Sequence, residues 1–234
     1  MKNFQTFSAL ALGALTASSA FALTDGPYNV YYPSVEGVQL TSFSSTIDIP
    51  KFNVAGGTLT SISITLAGSI QANQKAESLD NAPASLTLTT DATLTLKRPD
   101  NTPIVITIPE ALNHFSASIF DNTIDFGGTS GVTFTAAPGN SSDNQVLSGA
   151  SDLALFTGAG NVTLPISGSA GTSATGAGNI ISQFSTSANV HATVTYTYST
   201  TQVPEPKVYG AIGAVACLGL LGYRRFRNGQ AAKA

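Results

Sequence analysis

Asp121 and Asp125 are the acidic side chains best placed to do chemistry in this sequence. They flank Asn122 and run into Gly127-Gly128. Carboxylates and carbonyls in a glycine-bearing loop are ligands of the kind calcium takes. The spacing departs from the EF-hand pattern, and Asn and Asp beside paired glycines are ordinary turn formers. A turn is therefore the leading reading, with calcium as its alternative. His114 and His191 stand far apart in the chain, and no nucleophile or ligand cluster lies near either. Neither a triad nor a zinc site is expected from them. Glycoside hydrolysis needs two carboxylates about 5–9 Å apart, and the scattered acids mark no such pair. Tyr28, Tyr31 and Tyr32 offer rings on which a glycan stacks, or equally a group that packs across an edge strand. No catalytic residue and no cofactor is assigned, and the chain is read as a non-enzyme.

Composition narrows the field further. Of 234 residues, 22 are Gly, 29 Thr and 26 Ser, about a third in all, while charged residues make up 10%. Ordinary domains carry about 25% charged residues. One Cys and no Trp exclude a disulfide framework within one chain and a cysteine-rich zinc site. The whole chain carries −3, but the basic residues gather at its ends. Between 23 and 203 four basic and twelve acidic side chains give −8. That balance disfavours nucleic acid and anionic lipid as partners.

The two ends read as addresses. Lys2 precedes an apolar stretch from Phe7 to Leu15, and Ala20-Phe21-Ala22 places small residues where a signal peptidase reads. Residues 1–22 are thus expected to be a secretory signal cut after Ala22. At the other end Val203-Pro204-Glu205-Pro206 is followed by an uncharged run from Val208 to Tyr223. Arg224, Arg225, Arg227 and Lys233 come after it. Sixteen helical residues reach about 24 Å, short of a bilayer core of about 30 Å. Tyr209, Tyr223, Lys207 and Arg224 extend the span by sitting at the interfaces. The arginines are expected to stay cytoplasmic, with the body outside.

Pro204-Glu205-Pro206, an apolar helix and an arginine cluster together resemble the PEP-CTERM sorting signal of Gram-negative bacteria. The resemblance implies that residues 200–234 are read by an exosortase, a membrane protease that cuts at or near the Pro-Glu-Pro element. Cys217 is then a passenger in a discarded tail. It also implies passage through the inner membrane, then residence in the cell envelope or extracellular matrix in association with exopolysaccharide.

Residues 23–199 show a period of two. In Val190–Tyr198 the apolar members Val190, Ala192, Val194, Tyr196 and Tyr198 alternate with His191 and three threonines, the pattern of a half-buried strand. Leu86, Leu88, Ala92, Leu94 and Leu96 repeat it, as do Ile62, Ile64 and Leu66, and Val162, Leu164 and Ile166. Ile104, Ile106 and Ile108 are read as one apolar face against Val105 and Thr107. Turns are expected at Ala55-Gly56-Gly57, Arg98–Asn101, Asp125–Gly128, Pro138-Gly139-Asn140 and Gly158–Gly160. A short helix is expected near Ser151–Phe156, and a surface loop at Gly168–Gly178. The fold class is all-β: a single β-sandwich, with a jelly-roll-like alternative. Phe120–Phe134, Leu153–Gly160 and the strand Val194–Tyr198 resemble the bacterial "choice-of-anchor E" domain over most of residues 38–199. That resemblance implies a β topology and an extracellular setting, with no reaction. The functional expectation is a non-enzymatic envelope or matrix protein. The alternative is a secreted carbohydrate-binding module or glycan hydrolase.

Overall fold

A computed structural model describes residues 22–33, 39–40, 42–200 and 213–224. Residues Ala22–Ser199 form one compact unit. Its strands are β1 (Ala22–Tyr32), β2 (Gln39–Leu40), β3 (Phe43–Pro50), β4 (Gly57–Ser78), β5 (Ala84–Lys97), β6 (Pro103–Thr107) and β7 (Glu110–Ala117). β8 (Gly131–Leu147), helix α1 (Ala150–Phe156), β9 (Asn161–Thr175) and β10 (Ile180–Thr200) complete it. They make two five-stranded sheets. Sheet A runs β1-β10-β4-β8, with β2 beside β10. Sheet B runs β3-β9-β5-β6, with β7 beside β5. The registered pairs are antiparallel, and the inner faces of the two sheets share one large core. The arrangement is sandwich-like.

The alternating runs explain why. Ile62, Ile64 and Leu66 of β4, Leu94 and Leu96 of β5, Leu164 of β9 and Val194 and Tyr196 of β10 have no solvent exposure. The intervening Thr and Ser face outward, where a branched Cβ suits extended backbone and a hydroxyl meets water. Tyr196 reaches across the core and donates its hydroxyl to the Pro50 carbonyl (2.5 Å), tying sheet A to sheet B. Its ring lies among those of Tyr28, Phe52 and Phe156. Burial holds its phenol well above the ordinary range.

Helix α1 lies where it was expected. Arg98, in the β5–β6 turn, grips its first-turn acid Asp152 with two hydrogen bonds, Nε to Oδ1 (2.6 Å) and an Nη to Oδ2 (3.0 Å). The sequence gives no local sign of this pair.

Three expectations need correction. Pro138-Gly139-Asn140 is no turn: it lies inside β8. Gly139 is there because a side chain would strike the Glu110 carbonyl, 2.4 Å from an ideal Cβ. Residues 168–175 of the expected loop belong to β9, which pairs with both β3 and β5. Gly168 admits the Phe43 ring, and the Asp91 carboxylate occupies the space a side chain at 171 would take. Within this stretch the chain turns at Gly176, whose φ is +112°.

The phase of β6 is also the reverse of the isoleucine reading. Val105 and Thr107 are buried, while Ile106 and Ile108 are exposed. The short turn after β5 fixes this, with Asn101 at positive φ donating its N–H to Arg98. It sets Leu96 opposite Val105 and Leu94 opposite Thr107, and paired residues share a face. Turn geometry therefore overrides the hydrophobicity of the isoleucines. The Thr107 hydroxyl is left buried without a partner. Replacing Thr107 with Val keeps the shape and removes that group. It is expected to stabilise the fold by about 1 kcal/mol in urea denaturation, and a loss of stability would show that the hydroxyl has a bonding role.

The described residues 213–224, over the latter part of the expected apolar run, are helical and include the exposed Cys217. No described helix is long and apolar enough to cross a membrane. Ala20, Pro204, Glu205, Pro206, Arg225 and Arg227 lie outside the described residues.

Candidate functional site

The outer face of sheet A carries rows of uncharged polar side chains. Alternation turns Asn29 and Tyr31 of β1, Ser63, Thr65, Ser69 and Gln71 of β4, Asn140 and Asn144 of β8, and Ser187, Asn189, His191 and Thr193 of β10 away from the core. None of these side chains is an acid or a strong base. They bond one another across strands. Asn144 donates to the hydroxyls of Ser63 and Thr65, both at 2.9 Å. Thr193 donates to Asn29 Oδ1 (3.0 Å), and His191 Nε2 lies 3.1 Å from the same oxygen. The Tyr31 ring stacks on His191 with centroids 4.3 Å apart and planes within 2°.

Toward one end this face deepens into a groove of about 220 Å³. It is lined by Ser69, Ile70, Gln71, Pro138, Asn140, Ser187 and Asn189. Register builds it: Ser69 pairs with Asn140 and Gln71 with Pro138. Ser187 reaches over from β10 to donate to the Gln71 carbonyl (3.3 Å). Each side-chain amide carries both donors and acceptors, and each hydroxyl one of each. Such a lining binds and orients a neutral, hydroxyl-rich ligand. It contains no acid, base or nucleophile activated by a base.

The sequence-derived candidates fall elsewhere. Asp121 Oδ1 accepts the Thr123 N–H (2.9 Å) and Asp125 Oδ1 the Gly127 N–H (2.8 Å). Both are Asx turns, the geometry by which Asp closes a loop on its own backbone. Among the described residues there is no group of three or more His, Cys, Asp or Glu that could hold a metal ion. His114 is in the body of β7, 3.1 Å from Thr87 Oγ1 on the outer face of sheet B. His191 is on the outer face of sheet A and half-buried. The two histidines thus face away from each other across the sandwich. Nor do the three tyrosines form one group. Tyr28 and Tyr32 pack on the core, and Tyr28 donates to Asp25 Oδ1. Tyr31 alone of the three turns outward, with 57% exposure.

Asp91 and Glu110 stand directly opposite on β5 and β7, a cross-strand pairing no local motif marks. They sit on an outer face, and Gly171, next in their row, offers no side chain to position a sugar or a water. The groove residues escaped the sequence reading for a related reason. They come from three strands separated by long stretches of chain, and the polar members are ordinary outward Ser, Asn or Gln residues in their own strands.

The comparisons add no family. No family model matches the chain, and no curated protein matches it. Among solved structures, the infectious bursal disease virus VP2 subviral particle is similar at 15% identity and a TM-score of 0.22. That match covers 83% of this chain and 42% of the viral one. The Acinetobacter baumannii phage AM24 tailspike protein is similar at 13% identity and a TM-score of 0.17, over 71% of this chain and 27% of the other. The chain spans less than half the length of these proteins, and at such TM-scores the likeness carries no argument.

Proposed function

We propose that this chain is a non-enzymatic exported protein of the envelope or extracellular matrix of a Gram-negative bacterium. Residues 1–22 are its secretory signal, removed by signal peptidase. Residues 200–234 are its sorting tail, with the run 208–223 transiently in the inner membrane and Arg224, Arg225 and Arg227 on the cytoplasmic side. An exosortase-like membrane protease cuts at Pro204-Glu205-Pro206, and the body 23–199 joins an exopolysaccharide matrix.

One observation carries the reading. The compact unit runs from Ala22 to Ser199, so both cuts fall at its borders. A cut after Ala22 leaves Leu23 as the first residue, still paired with Tyr198 on β10. Among the described residues it forfeits one pair, Ala22 with Ser199. β10 ends at Thr200, before Pro204, so the second cut leaves the sheet whole. The −8 of the body and the sparsely charged outer face of sheet A suit a soluble component of a glycan gel.

The test is intact mass and fractionation of the protein from its native host. The expected result is a species lacking both 1–22 and the chain beyond about Val203, in the envelope or extracellular fraction. A full-length tail retained in the inner membrane would overturn the sorting step and leave a tethered periplasmic protein.

A further inference from the structure

We propose that the groove on the outer face of sheet A is a binding site for a segment of uncharged polysaccharide, with Gln71 and Asn140 as its main polar contacts. The proposal rests on the matrix reading for the setting of its ligand, and on the groove alone for its chemistry.

The first argument is the lining. Ser69, Gln71, Asn140, Ser187 and Asn189 converge on one depression from three adjacent strands. Sugar hydroxyls both donate and accept, and a carboxamide presents a donor and an acceptor side by side. Gln71 and Asn140 therefore match two neighbouring hydroxyls of one ring. Pro138, exposed opposite Gln71, supplies an apolar surface of the kind a sugar's C–H face needs. These groups are carried on paired strands of one sheet, so little ordering is required on binding.

The second argument is charge. No groove residue is ionisable, so no charge in it favours a uronate, sulfate or phosphate. The acidic balance of the body repels such polymers further. A neutral glycan meets no such penalty.

The third argument is extent. A groove of about 220 Å³ is smaller than the roughly 300–1,000 Å³ of pockets for drug-sized ligands. It holds a small unit while the rest of the chain continues along the open face. From Asn189 the same face leads to His191, about 7 Å further along β10, where the exposed Tyr31 ring is stacked. Tyr31 adds an aromatic surface of the kind that takes a sugar's apolar side. Asn29 and Thr193 continue the hydrogen-bonding row beyond it.

The experiment is affinity electrophoresis of the full chain through gels containing dextran, a β-1,3-glucan, a galactomannan or alginate. Retardation is expected in at least one neutral polymer and none in alginate. Asn140→Ala and Gln71→Ala should each weaken the retarding interaction about tenfold, and Tyr31→Ala severalfold, with melting curves unchanged. Ser116→Ala, on the outer face of sheet B, should behave as the parent. Migration unaffected by every neutral polymer would overturn the proposal. So would retardation that survives the Gln71→Ala, Asn140→Ala double variant with a parental melt, or retardation by alginate alone. The outcome is separable from sorting: a chain that keeps its tail yet is retarded by a neutral polymer sinks the sorting step and leaves the groove. A correctly processed chain that no neutral polymer retards does the reverse.

Discussion

Replacing Val194 with Asp should abolish the folded body. Val194 has no solvent exposure. It lies on β10, between β1 and β4, opposite Tyr28. Its neighbours in the core are apolar. The substitution loses about 1.5–3 kcal/mol of side-chain burial. An unpaired carboxylate in that place adds several kcal/mol of desolvation that nothing repays. Native domains hold about 5–15 kcal/mol in all, so the sum reaches the whole margin of a modest domain. The expected result is loss of soluble protein, or of any cooperative thermal transition. Thr195→Asp is the control one residue-pair along the same strand. Its side chain belongs to the outer face, and a surface charge there should shift stability by about 1 kcal/mol or less. A parental melt for Val194→Asp would overturn the assignment of the inner face of β10, and with it the centre of sheet A.

That contrast was legible in the sequence because β10 alternates without interruption. The same holds for Ile62–Leu66 of β4, Leu86–Thr89 of β5 and Val162–Ile166 of β9, where large apolar residues alternate with mostly Ser and Thr. Two of the misreadings share one physical cause. Glycine and proline were taken as marks of turns, whereas Gly139 and Gly168 are small because another part of the chain presses on them. Steric demands of that kind come from tertiary neighbours and leave no trace in local spacing. β6 failed differently: Ile104, Ile106 and Ile108 carried a strong signal, but a rigid two-strand turn fixed the register and sent two of them to solvent. The groove was illegible for a third reason. Its chemistry is made by strand order, and Gln71, Asn140 and Ser187 become neighbours only once β10, β4 and β8 are laid side by side.

The functional reading divides along the same line. Processing signals are linear and can be read residue by residue, so the proposal of export comes from the two ends. A glycan groove on a sheet is a property of register, and the sequence of any one strand is silent about it. The sparsely charged outer face of sheet A links the two proposals: a surface of hydroxyls and amides that bond one another stays soluble with few charges and offers a neutral polymer many small contacts. Weak contacts of this type gain strength when a polymer engages several of them at once, which suits a matrix better than a tight single site would.

Truncating Glu77 to Ala should release the segment 118–130 from the end of sheet A. Glu77 is fully buried although its neighbour Ala76 already faces the core, so two successive residues of β4 are covered from opposite sides. The cover over Glu77 is the loop that carries Asp121 and Asp125. Its carboxylate accepts the Ser130 hydroxyl (2.6 Å) and the Phe126 N–H (2.8 Å). Gly131, its partner on β8, has no side chain because the carboxylate occupies that space. Further bonds close the loop, Ser78 N–H to Ser130 O and Gly131 N–H to Gly127 O. Removing the carboxylate strands two buried donors at about 1–3 kcal/mol each, so a loss of about 3 kcal/mol is expected in denaturant titration. Glu77→Gln should lose much less. Its amide oxygen can still accept the Phe126 N–H, and its NH2 can donate to a Ser130 hydroxyl that turns to accept. Hydrogen exchange gives the local readout: amides of 118–130 should lose protection in Glu77→Ala and largely keep it in Glu77→Gln. Equal effects of the two substitutions would mean that the shape of the side chain holds the loop. Unchanged exchange in both would mean that the loop's own Asx turns at Asp121 and Asp125 suffice to hold it.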